Sequence, residues 1–266
     1  MSFSSMVSYF FAIVVGIITG IITSLIGASG VMVIVPALTM LFHVNTHAAI
    51  GTSLFVDVIA SLTVSYNYFK NGNVDLRAGA WIAVSSIVGA QLGAMFASQI
   101  NEGFLSSLFG IFLLISGIMM LGRSGKKEGD TEKEAEKRTL RFKKRWQQIV
   151  LAVIVGIGIG IISGIFGAGG GVMILLALII IMSYPLHKAI GTSTLIMSMT
   201  ALSSTIGYAV RGNINLILGC FLAIGAVAGG TVGSFYANKV NEKTLQKIVS
   251  AVFICLGGMM TLLEII

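Results

Sequence analysis

Two short stretches, one in each half of the chain, concentrate the groups that could hold a small anion. One is GASG at Gly27–Gly30 and the other is GAGGG at Gly167–Gly171. Both interrupt long apolar runs. Glycine is about 1 kcal/mol worse than alanine inside a helix, so each cluster marks a break. The helix that resumes after a break starts with N–H groups that lack intrahelical partners, and its dipole is positive at that end. Such an end favours an anion, and glycine lets the backbone approach it closely. The expected anion contacts are Gly27, Ala28, Ser29 and Gly30 in the first break. In the second they are Gly167, Ala168, Gly169, Gly170 and Gly171.

Hydroxyls extend the pattern. HAAIGTS at His47–Ser53 and HKAIGTS at His187–Ser193 agree at six of seven positions. Thr52, Ser53, Thr192 and Ser193 stand near the starts of long apolar segments. A hydroxyl there caps or bonds its own helix, or donates to an oxyanion; both readings stay open. Asp57 is the one acidic residue deep inside an apolar segment, which makes it a functional candidate. Three roles suit it: a proton-coupling group, a Na⁺ ligand, or a partner in a structural hydrogen bond with a nearby Ser or Thr. Its counterpart in the second half, Met197, carries no charge.

Other chemistries find little support. His47 and His187 read as loop anchors and Arg211 as a turn residue. His43 and His47 have no third ligand nearby, so no metal site is expected. There is no Ser-His-Asp, HExxH or phosphate-loop pattern, and the glycine clusters do not follow a strand as a dinucleotide fingerprint would. No catalytic residue and no cofactor is expected. Cys220 and Cys255 sit in apolar runs and read as small buried hydrophobes.

The elements that must carry these residues are membrane helices. The chain is 56% hydrophobic and 10% charged, against roughly 25% charged for a soluble domain. Apolar runs long enough to span a bilayer as helices, about 20 residues each, recur from end to end, which defines an all-α polytopic membrane protein. The net charge of +7 does not indicate nucleic acid, because ten of the 17 Lys and Arg lie between Arg123 and Arg145, among five acidic residues. That segment reads as a solvated linker beside anionic lipid. The first apolar run lacks a basic leader region and matches an internal run later, so it is expected to stay in the mature chain.

One constant offset, without gaps, relates the two halves, so that position 27 answers to 167 and position 53 to 193. GIITGIITSLIGASG at Gly16–Gly30 matches GIGIGIISGIFGAGG at Gly156–Gly170 at eight of fifteen positions. The expected division is a membrane repeat over 1–122, a cytoplasmic linker over 123–146 and a second membrane repeat over 147–266. Each repeat reads as about five segments, of which the second, about 13 residues long, is too short to cross comfortably. It is expected as a short crossing or one arm of a re-entrant hairpin, which is tolerated only inside protein or beside water. Glycines spaced at four, as in Gly16 and Gly20, Gly156 and Gly160, or Gly225, Gly229 and Gly233, read as helix-packing positions.

The positive-inside rule then sets the topology. If the first two segments of each half form a hairpin, the halves are inverted and 16 of the 17 Lys and Arg lie inside, with Arg211 outside. If those segments make one broken crossing, the halves are parallel and 13 lie inside. The inverted arrangement is preferred, with both termini outside. Inverted repeats with matching interruptions are a sign of secondary transporters.

With GASGVMVIVPAL at Gly27–Leu38, GAGGGVMILLAL at Gly167–Leu178 and the two AIGTS boxes, the chain resembles the TauE/SafE family of sulfite exporters over its whole length. Ser29 and Val31 stand opposite Gly169 and Gly171, so the first half departs from the fuller glycine pattern. The resemblance implies a secondary transporter in the bacterial cytoplasmic membrane, exporting a small anion such as sulfite or an organosulfonate by alternating access. A carrier or channel for another small solute, such as a carboxylate, is the alternative. Expected partners are the anion, the lipid bilayer and H⁺ or Na⁺ as coupling ion. Nucleic acid is not expected, and a homo-oligomer is left open.

Overall fold

A computed structural model describes residues 3–97, 111, 114–122, 145–166, 170–182 and 184–265. The regular structure of the described residues is α-helical. The first half holds α1 (Phe3–Ile26), α2 (Val31–Met40), α3 (Thr46–Lys70) and α4 (Leu76–Ala97). The second holds α5 (Arg145–Phe166), α6 (Gly170–Ile180), α7 (Leu186–Val210), α8 (Leu216–Lys239) and α9 (Glu242–Ile265). The described part of the first half's fifth segment is helical over 114–122. The linker expected over 123–146 lies almost wholly outside the described residues.

Length sorts these helices. Ser8–Ile26, Thr46–Lys70, Leu186–Val210 and Leu216–Lys239 are long and apolar enough to cross a membrane. At about 1.5 Å per residue, α2 with 10 residues and α6 with 11 rise only about 15 Å. That is half of a hydrocarbon layer of about 30 Å. Side chains with amide or carboxylate oxygens start several long helices. Asn45 accepts from Ala48 N at 2.8 Å at the head of α3, and Asn215 from Leu218 N at 3.2 Å at the head of α8. Gly72 and Gly212 take φ of +74° and +71° in the matching turns after α3 and α7, a conformation that glycine adopts freely.

Three helix pairs build the body. α1 lies along α8, α4 along α5, and α3 against α7. The first two pairs are as close as backbones allow. A Cβ added at Gly16 or Gly20 would run into the α8 backbone at Leu222 or Ala226, and one at Gly225 or Gly229 into α1 at Ile13 or Ile17. The same contacts recur in α5 and α4, where Gly156 meets Ile82 and Gly160 meets Ser86. The spaced glycines are therefore packing positions: where lipid and side chains are equally apolar, close van der Waals contact is what drives association. Contact partners rise together in number along these two pairs, so the helices run parallel.

The central pair runs the other way. Gly51, near the start of α3, lies against Tyr208 near the end of α7, and Gly191 lies against Tyr68. Each of these contacts is the other with the halves exchanged. The buried core follows the same division: Ile34, Leu38, Val56 and Leu222 share one cluster, and Leu175, Leu178, Ile196 and Ile82 another.

Cys220 and Cys255 correct the sequence reading, because both are exposed. They stand on outer faces with Ile217, Ile224 and other exposed apolar residues. In a bilayer the outside of the bundle is as apolar as the inside, so a small apolar residue satisfies either face.

Candidate functional site

The first break begins where α1 ends. Gly27 donates to Thr23 O at 2.9 Å and then turns with φ of +60°. Ala28 is buried and Ser29 half-buried. Gly30 follows as the N-cap of α2, and no side chain of its own makes a cap hydrogen bond. A Cβ added at Gly30 would collide with Thr19 of α1. Gly30 thus stands beside a residue seven positions before the end of α1. The chain doubles back, and α2 is the return arm of a short hairpin.

Asp57 closes this break. It is fully surrounded, at 1% exposure, two turns inside α3. Its Oδ1 accepts from Gly30 N at 2.8 Å and its Oδ2 accepts from the Ser29 hydroxyl. Ser29 Oγ in turn accepts from Val31 N at 3.2 Å. The α2 N-terminus therefore has a carboxylate on it, supplied by another helix. Of the three roles read for Asp57, the hydrogen bond to a nearby serine is the one visible in the structure.

The second break meets the first. Gly167, Ala168 and Gly169 lie outside the described residues. Gly170 opens α6, and Gly171 is buried against the first break: a Cβ added there would lie 2.8 Å from Ser29 N and 3.0 Å from Ala28 Cα. The same Cβ would lie 2.8 Å from Met197 Sδ. Position 197 thus faces the start of α6 as Asp57 faces the start of α2, with a thioether in place of a carboxylate.

The four AIGTS hydroxyls are all buried and divide into two kinds. Ser53 donates back to Ile50 O at 2.8 Å. Ser193 donates to Ile190 O at 2.9 Å and has Gly27 O of the first break 3.4 Å away. The threonines reach across the halves instead. Thr192 Oγ1 accepts from Asp75 N at 3.0 Å, and Thr52 Oγ1 accepts from Asn215 N at 2.8 Å. The serines therefore line the helices beside the breaks, while the threonines tie each half to the loop of the other.

Two features escaped the sequence reading. Thr23 has a buried hydroxyl that is the one buried side-chain polar atom without a hydrogen-bond partner among the described residues. The signal was present: Thr23 and Ser163 both stand four residues before a break. The other is a cluster at one end of the molecule. Asp75 Oδ1 caps α4 through Ala78 N at 3.0 Å, while Oδ2 accepts from Tyr184 OH at 2.9 Å and pairs with Lys188 Nζ at 3.5 Å. Burial would push the Asp75 carboxyl up, but Ala78 N–H, the Tyr184 hydroxyl and the Lys188 charge outweigh it and hold it below its ordinary value. Burial and the Asp75 charge push the Tyr184 hydroxyl up, so it stays a donor. His187, expected as a loop anchor, is one: its Nε2 lies 2.9 Å from Ala237 O and 3.1 Å from Val240 O. Arg211 caps the end of α7 at the turn where it was expected.

A buried helix break paired with a second one, inside a bundle of membrane-length helices, defines a polytopic membrane protein with an internal polar site. Comparison with known proteins gives the family. Residues 12–260 match the family model described as Sulfite exporter TauE/SafE, and the chain belongs to that family. Among curated relatives, the Bacillus subtilis "Probable membrane transporter protein YunE" is 28% identical, covering 94% of this chain and 96% of its own length. "Probable membrane transporter protein YdhB" of the same organism is 31% identical over 91% of this chain and 94% of its own. The Methanocaldococcus jannaschii "Probable membrane transporter protein MJ0441" is 27% identical over 94% of each. No solved structure matches. The chain is a multi-pass membrane transporter.

Proposed function

We propose that this transporter exports a small anion, such as sulfite or an organosulfonate, by alternating access around the two breaks. The observation that carries the reading is the meeting of Gly171 with Ala28 and Ser29. Two half-length helices then begin at one buried point, where their N–H groups and dipoles favour negative charge. Gly27–Gly30, Gly167–Gly171, Ser53 and Ser193 are the proposed contacts. Thr52 and Thr192 act on the site from the loops that they hold. The halves are read as inverted repeats, 1–122 and 147–266, joined by a cytoplasmic linker. The antiparallel α3 and α7 support this, since repeats related by an axis along the membrane normal would keep matching helices parallel. The Lys and Arg distribution supports both termini outside. Asp57 is the proposed coupling group for H⁺ or Na⁺.

A carboxylate substrate is the second reading. The carboxylate of Asp57 on the α2 N-terminus shows that such an end accepts one.

The test is flux into proteoliposomes of sulfite, isethionate, sulfate and acetate under imposed pH and Na⁺ gradients. Gly170→Leu is expected to abolish flux in a folded, inserted protein. Unchanged flux sinks the site. Asp57→Asn is expected to remove the response to the coupling gradient, and a response that persists sinks that role.

A further inference from the structure

We propose that Asp57 is a tethered stand-in for the transported anion: it fills the anion seat of the first break, so the substrate takes the second, one per cycle. The inference rests on the anion-transport reading above and narrows it to one seat.

The two seats are counterparts with different contents. At the start of α2, Asp57 takes both the Gly30 N–H and the Ser29 hydroxyl. No cap is left for an arriving anion to supply. At the start of α6 the matching side chain is Met197, whose sulfur faces Gly171. A thioether is a weak acceptor, and the first turn of α6 holds no acidic residue. This N-terminus is not neutralised from within.

Thr23 is the independent sign that a ligand belongs there. Its hydroxyl is fully buried and unpartnered, an arrangement that costs stability unless something completes it. Thr23 is one turn beyond Thr19, the residue that Gly30 packs on. Residues four apart share a helix face, so Thr23 is on the side of α1 turned to the breaks. A donor in that position is what an oxyanion would use.

The geometry also sets the class of substrate. Gly171 lies against Ala28 and Ser29, so the seats adjoin. Two anions so close in a low-dielectric interior repel strongly. With Asp57 in place, the site suits a small ion with a single anionic head. A dicarboxylate, which would need both seats, does not fit.

The experiment is equilibrium binding of radiolabelled sulfite to the purified full-length protein in lipid nanodiscs. Wild type is expected to bind one sulfite per chain. Met197→Asp sets a second carboxylate on the second seat and is expected to weaken binding about tenfold or more, as like charges would. Met197→Asn, neutral and of the same shape as that aspartate, is expected to stay within about threefold of wild type, which is under about 1 kcal/mol. Thr23→Val is expected to weaken binding several-fold. Sulfite binding by a folded Met197→Asp protein at wild-type affinity overturns the proposal, and so does a wild-type stoichiometry of two. The stoichiometry decides the matter if Met197→Asp does not fold. If wild type binds neither sulfite, isethionate nor acetate, the anion-transport reading itself falls and takes this one with it. If it binds one of them and Met197→Asp changes nothing, only this one falls.

Discussion

At one end of the bundle, Thr192 of α7 accepts the Asp75 N–H and Asp75 caps α4. At the other end, Thr52 of α3 accepts the Asn215 N–H and Asn215 caps α8. Every residue in the second clamp is the repeat counterpart of one in the first. The dressing differs. The Asp75 end adds Tyr184 and Lys188, and the matching positions at the Asn215 end are Val44 and Ala48. An amide oxygen caps a helix as well as a carboxylate does, so the clamp itself needs no charge. The charge at Asp75 serves to recruit two further partners, and it makes one end harder to open than the other. In alternating access such a difference sets which end rests closed.

The comparison is most exposed at the two caps. Asp75→Ala removes a cap, a hydrogen bond and an ion pair, roughly 2–3 kcal/mol in all. Asn215→Ala removes the cap alone, about 1 kcal/mol. Thermal unfolding of both variants in detergent measures this, and equal losses would erase the difference between the ends. Thr192→Val and Thr52→Val come next. Each leaves one partly buried N–H unmet, about 1 kcal/mol, and the two losses are expected to match. A large disparity would mean that the shared skeleton is not equally stressed.

Acid sharpens the same contrast with a smaller effect. The Asp75 carboxyl is held below its ordinary value in the fold. Its contribution is therefore complete above the unfolded value of about 3.9 and is lost as pH falls through the lower folded value. Hydrogen exchange at the 71–75 loop is expected to be flat from neutral pH to about pH 5 and to rise below about pH 4. The 211–215 loop, with Asn215, is expected to show no such rise, and Asp75→Asn to remove it. Lys188→Ala is the mildest change. The Lys188 side chain is 37% exposed, so its pair with Asp75 is worth about 0–1 kcal/mol and fades with salt. A larger, salt-independent loss would locate the extra stability of this end in the lysine rather than in Tyr184.

Much of this fold was legible in advance. Helix ends fell within a few residues of expectation, because glycine, asparagine and aspartate act locally. The half-length of α2 and α6 followed from the spacing of GASG and GAGGG to the next loop. The packing role of Gly16, Gly20 and their counterparts followed from their spacing of four. The site was legible only in its backbone. Thr52 and Ser53 are neighbours of similar chemistry, yet Thr52 bonds across the molecule and Ser53 bonds its own turn. Thr23 was passed over because a single threonine in an apolar run has no local mark of being unpaired.

The order of apolar runs, breaks and turns is written in the chain itself, since run length against bilayer thickness and the preferences of glycine depend on no distant residue. Which hydroxyl holds a loop, which one is left bare, whether a cysteine faces lipid, and which break receives a carboxylate were choices made by packing. A buried polar group takes whatever partner stands within about 3 Å, and that neighbour is set by helices far away in sequence. Asp57 and Met197 occupy the same place in two copies of one repeat. Their difference acquires meaning only once Gly30, Ser29 and Gly171 are seen against them.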